Sequence, residues 1–121
     1  MEALAGRTLL VVEDEFLILL DLQYMLEEAG ACVVTAASVA EGLKAVESAP
    51  FDVAVLDVRL PDGEVFPVAE KLKERDVPLV FHSGHAERTE LQENFPSAIA
   101  LSKPAPEMEL VEAVARQAVG A

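Results

Sequence analysis

The chain has 121 residues, with 22 acidic and 9 basic side chains, and a formal net charge of −13. That length suits one domain with an unassisted core, and the charge repels phosphate backbones, which argues against nucleic acid as a direct partner. One cysteine excludes an internal disulfide, no Cys/His zinc spacing occurs, and no apolar run approaches the length of a membrane span. The first seven residues lack a basic region followed by an apolar stretch, so no signal peptide is read and a soluble, cytoplasmic protein is expected.

Short Val/Leu-rich runs alternate with segments of helical spacing. Residues 9–12 read as a first strand and 16–29 as a first helix, which stops at Gly30, a good residue for a helix C-terminus. Residues 32–35 and 38–49 form the next pair, and Ser38 with Glu41 reads as a capping box. Residues 53–56 precede a helix over 64–75, with Val65, Val68, Ala69 and Leu72 on one face. Residues 79–81 precede a weak helix over 87–94, in which Leu91 is the only strong apolar residue. That helix is expected to be short and mobile, and to be reordered when the protein is modified. Residues 99–101 and 106–119 close the pattern, with Val111, Val114, Ala115, Ala118 and Val119 on one helical face. The apolar runs are continuous, as in strands buried on both faces. Five strand–helix repeats predict one open, doubly wound α/β domain over 1–121, with its core at about 8–119 and its strands parallel.

In such sheets ligands bind beyond the carboxyl ends of the strands. Glu13, Asp14 and Glu15 follow the first strand, and Asp57 ends the third. Ser83 and Gly84 follow the fourth, and Ser102, Lys103 and Pro104 follow the fifth. Each has a plain reading: Asp14 and Ser83 as helix caps, Lys103 as a surface charge. Their coincidence at matching strand ends is what points to a site. Two carboxylates about 4 Å apart repel by roughly 4 kcal/mol at an effective dielectric near 20, so one protonates or a cation settles between them. Hard oxygen ligands select Mg²⁺ or Mn²⁺. A carboxylate beside such a cation, a hydroxyl and a lysine is equipped to take a phosphoryl group onto Asp57. No Gly-rich nucleotide-binding motif is present, so the donor is expected to be another protein's phosphoryl group or a small reactive phosphate.

At these residues the sequence resembles a two-component response-regulator receiver domain, from about Thr8 to Val119. The resemblance rests on Glu13-Asp14-Glu15 after the first strand, on Leu56-Asp57-Val58-Arg59-Leu60-Pro61-Asp62-Gly63, on His82-Ser83-Gly84 and on Ser102-Lys103-Pro104. It implies the flavodoxin-like (βα)5 fold with strand order 2-1-3-4-5. It also implies Asp57 as phospho-acceptor, Asp14 as direct metal ligand, Glu13 as a ligand through water, and the Arg59 backbone carbonyl completing the coordination. Ser83 and Lys103 match the hydroxyl and the lysine that bind the phosphoryl group, and Pro104 the proline that often follows a cis bond. The implied donor is a histidine kinase or phosphotransfer protein, a homodimer is allowed for, and the only chemistry implied is the domain's own phosphorylation and dephosphorylation.

Two departures stand out. Ala100 occupies the position where receivers usually carry a switch aromatic. Phe81-His82-Ser83-Gly84 resembles the Phe-Ala-Thr-Gly stretch of an atypical subgroup that also lacks this aromatic and often works as stand-alone receivers with kinases of the HWE type; Ala86 does not match the tyrosine often found just beyond it. The chain stops straight after its fifth helix, so output is expected by docking, by relay or through a further domain.

The first helix carries a second apolar stripe, Phe16, Leu17, Leu20 and Tyr24, opposite the core stripe of Ile18, Leu22, Met25, Leu26 and Ala29. The plainer reading is that neighbouring loops partly cover Phe16 and Leu17; the sharper one is that the stripe docks a helix of a kinase or phosphotransfer partner. His82 is expected to pack beside the sheet, His85 to border the pocket mouth, and Cys32 to be a small buried residue. Among rivals, a dehalogenase-like Mg²⁺ phosphohydrolase wants a second acid where Arg59 stands, and a flavodoxin-like binder wants a hydroxyl-rich loop where Glu13-Asp14-Glu15 would repel phosphate. A pseudo-receiver that is never phosphorylated is the remaining alternative.

Overall fold

The structure is a computed structural model that describes residues 2–84 and 88–119. In chain order its elements are β1 (Thr8–Val12), α1 (Phe16–Glu28), β2 (Cys32–Ala36), α2 (Val39–Ser48), β3 (Val53–Leu56), β4 (Arg59–Leu60), β5 (Gly63–Glu64), α3 (Phe66–Glu74), β6 (Leu79–Ser83), α4 (Arg88–Asn94), β7 (Ile99–Ser102) and α5 (Glu107–Val119). Five strands form one parallel sheet in the order β2-β1-β3-β6-β7. This is the expected 2-1-3-4-5 order of a flavodoxin-like fold once the short antiparallel hairpin β4–β5 is set aside.

Alternation along each strand divides the apolar residues between two layers. Leu10, Val12, Ala54, Leu56 and Phe81 meet Val46 of α2, Val68 and Leu72 of α3, and Leu91 of α4 on one face. Leu9, Val11, Val53, Val55 and Val80 meet Leu22 and Leu26 of α1 and Leu110 and Val114 of α5 on the other. The central strands β3 and β6 are buried throughout. The outer strands are not: Cys32, Val34 and Thr35 of β2 are exposed and β7 is only partly covered. The expectation of burial on both faces therefore fails at the sheet edges, where helical cover runs out, and Cys32 is exposed rather than buried.

Local signals act as read, with some displacements. Gly30 has φ +103 and sits in a Schellman turn, its N–H donating to Glu27 O and that of Ala31 to Leu26 O. A Cβ there would also lie 2.8 Å from Glu2 Cβ, because the chain before β1 folds back over it. That early segment belongs to the packed unit: Leu4 is fully buried. Ser38 Oγ accepts the Glu41 N–H, but Glu41 reaches back to the N–H of Ala37 rather than of Ser38. The buried face of α5 is Leu110, Ala113 and Val114, and Val119 is exposed, a shift from the expected stripe. Leu91 is buried as expected, yet it is joined by Phe95, which packs against Phe81 and Phe66, so α4 has more apolar anchorage than its own sequence showed.

Candidate functional site

The sheet ladder continues one residue beyond its strands at the carboxyl edge. Glu13 N–H donates to Ala36 O, and Asp57 N–H donates to Val12 O. Val12 stands opposite Leu56, so Glu13 and Asp57 emerge side by side from β1 and β3. On the far side, Ser83 stands opposite Ser102, and the Lys103 N–H donates to Ser83 O at 2.8 Å. Lys103 thereby leaves β7 towards the two acids. Lys103–Pro104 is a cis peptide bond.

Three carboxylates converge here: an oxygen from each of Glu13, Asp14 and Asp57 lies within 4.8 Å of the others. Glu13 and Asp57 are buried and Asp14 is exposed. The Lys103 ammonium lies 2.7 Å from Glu13 Oε1 and 3.1 Å from Asp57 Oδ2. Burial pushes the Glu13 carboxyl above the ordinary glutamate range, against the pull of Lys103 and of the Glu15 N–H that donates to Glu13 Oε2. Burial also works against the Lys103 charge, but its bonds to Glu13 and Asp57 outweigh this and hold its pKa above the ordinary value. With all three acids ionised, Lys103 offsets one negative charge and leaves two, the charge of a divalent cation. Oxygen donors of this kind fit Mg²⁺ or Mn²⁺. Asp14 is not taken up by helix capping, since the N-cap of α1 is Glu15 and no side-chain cap bond forms there.

The remaining predicted residues are distributed around this edge. Ser83 closes β6 and is buried, and the exposed Arg59 opens β4 two residues after Asp57. Ala100 stands opposite Phe81 and packs partly buried on the α4 side of the sheet. Phe16, Leu17, Leu20 and Tyr24 are 67%, 79%, 44% and 66% exposed, so the described residues leave Phe16 and Leu17 largely uncovered. His85 and Ala86 lie outside the described residues. His82 is buried in β6 as expected, and its Nε2 accepts the N–H of Ala105. Sequence reasoning missed that bond, and also the role of Asp62, whose carboxylate accepts the N–H groups of Val39 and Ala40 at the start of α2. The Pro61-Asp62-Gly63 turn was the available signal for Asp62; nothing in the sequence signalled the His82 contact. Among the described residues, no helix is long and apolar enough to cross a membrane.

The response regulator receiver domain family matches residues 9–115. The chain belongs to this family. The receiver is 40% identical over 83 residues to the photosynthetic apparatus regulatory protein RegA of Cereibacter sphaeroides, covering 67% of this chain and 45% of RegA. It is 41% identical over 70 residues to the alkaline phosphatase synthesis transcriptional regulatory protein PhoP of Bacillus subtilis, covering 58% of this chain and 29% of PhoP. It thus spans less than half the length of these curated relatives. A response regulator receiver protein from Sinorhizobium medicae superposes with a TM-score of 0.85 at 30% identity, over 93% of this chain and 94% of that one.

Proposed function

We propose that this receiver takes a phosphoryl group on Asp57 from a histidine kinase or phosphotransfer protein, and that the modification changes its contacts with other proteins. The observation that carries the reading is the Lys103 ammonium bridging Asp57 and Glu13 within a three-carboxylate cluster. An Asp57 oxygen attacks phosphorus, and the bond from phosphorus to the donor breaks, its electron pair leaving with the donor. Lys103 would bind the equatorial oxygens of the incoming group, and the Ser83 hydroxyl would share that role. Glu13, Asp14, Asp57 and the Arg59 carbonyl would hold Mg²⁺, which neutralises charge on the transferring group when bound. The chain itself catalyses only this gain and loss of phosphate. The exposed stripe of α1, which starts two residues after Asp14, would seat the helical donor protein.

Acetyl phosphate with Mg²⁺, followed by intact mass, tests the reading. One added phosphoryl group is expected, absent without the metal and absent in Asp57→Ala. No addition to the wild-type chain, from acetyl phosphate or from any kinase, would make it an interaction module instead.

A further inference from the structure

Among the described residues, His82 is the one buried polar side chain at the carboxyl edge that the proposed chemistry leaves unused. It is 4% exposed, and its Nε2 lies 3.2 Å from the Ala105 nitrogen, accepting that N–H. Over residues 103–105 the chain has only two N–H groups, because Pro104 has none. One donates to Ser83 O and the other to His82 Nε2. Both anchors of the segment that carries Lys103 therefore come from adjacent residues of β6, and one of them is a side chain.

The other ring nitrogen makes the case independently. With Nε2 accepting, the neutral ring carries its proton on Nδ1, and Nδ1 is buried without a hydrogen-bond partner among the described residues. A buried donor left unpaired opposes folding. His82 thus adds little net stability, since one unpaired buried donor is set against one accepted N–H. Burial, and then the nearby Lys103 charge, hold the imidazole below its ordinary pKa, which favours the neutral, accepting form.

We propose that His82 is a positioning residue that, by accepting the Ala105 N–H, pins the chain beyond Lys103 and so holds the ammonium against Asp57. The proposal rests on the reading of Asp57 as phospho-acceptor. Three variants separate its consequences. His82→Leu removes the acceptor and the unpaired Nδ1 together. His82→Gln places an acceptor near the Nε2 position, and His82→Asn places one near Nδ1, too short to reach Ala105.

The measurements are the initial rate of Asp57 phosphorylation by acetyl phosphate with Mg²⁺, the thermal midpoint, and hydrogen exchange at the Ala105 amide. A net hydrogen bond corresponds to roughly three- to tenfold in rate. His82→Leu and His82→Asn should slow phosphorylation by about that factor and speed Ala105 exchange. His82→Gln should restore both, and His82→Leu should melt close to wild type. Wild-type phosphorylation rates in His82→Leu overturn the proposal and leave the Asp57 reading intact. A slow His82→Leu that also melts well below wild type, with no rescue by His82→Gln, overturns it in favour of a merely structural role. A wild-type chain that takes no phosphoryl group, though its Ala105 amide is protected, overturns the Asp57 reading and this proposal together.

Discussion

Lys103 is kept charged by its neighbours. Burial disfavours the ammonium, and Glu13 and Asp57 together more than compensate. The same contacts restrain the two acids, whose mutual repulsion would otherwise drive a proton onto one of them. Lys103→Met removes the cation and leaves two buried carboxylates facing each other. Breaking a buried pair from one side costs roughly 3 kcal/mol, so the melting temperature of Lys103→Met should fall clearly in thermal scans without metal. Added Mg²⁺ should recover more stability in that variant than in wild type, because a ligand that binds only the folded chain stabilises by mass action; equal Mg²⁺ shifts in the two proteins would refute this account of the charge balance. At this scale the acids and the lysine were legible because each lies within two residues of the end of an apolar strand run. The His82 contact was not, since it joins residues 23 positions apart, with α4 and β7 between them.

Among the elements, the β4–β5 hairpin is where sequence reading fell short. Its two-residue strands are too short to show any periodicity, and the helix expected from residue 64 begins at Phe66. The hairpin is nevertheless tied down, through Asp62, to the exposed N–H groups of Val39 and Ala40 at the start of α2. These bonds hold the Asp62 carboxyl below the ordinary aspartate range. The unfolded chain then takes up this proton at higher pH than the folded one. The contribution of Asp62 is therefore complete above its unfolded value, about 4, and is lost as pH falls through the folded value. Asp62→Ala should lower the melting temperature at neutral pH, and the gap from wild type should close in acid. A gap that is constant with pH would assign the effect to the hairpin turn rather than to the carboxylate. Helix ends were read with more success: Gly30 terminates α1, whereas α3 ends in the same kind of turn on Asp76 at φ +59, a non-glycine that tolerates this conformation less readily.

For the whole molecule, the sheet separates two apolar layers and brings the site to one edge, leaving the outer stripe of α1 uncovered beside it. Leu20 is 44% exposed and lies outside both layers. Leu20→Glu should shift stability by no more than about 0.5 kcal/mol, abolish transfer from the cognate kinase or phosphotransfer protein, and leave labelling by acetyl phosphate unchanged. A large loss of thermal stability would place the side chain in the core; equal loss with both donors would move the effect from docking to chemistry.

Fold class and the acidic edge followed from the sequence itself, because strand and helix periodicities are local and a parallel sheet of alternating units has few permitted windings; the strand order came with the resemblance to receiver domains. What faces water followed from neither. The exposure of Cys32 and β2, the burial of Leu4 and Phe95, and the shift of the α5 face depend on which distant segment lies opposite. The same holds for Lys103 between Glu13 and Asp57: local chemistry nominated the three residues, and only the pairing of β1, β3, β6 and β7 set their separations.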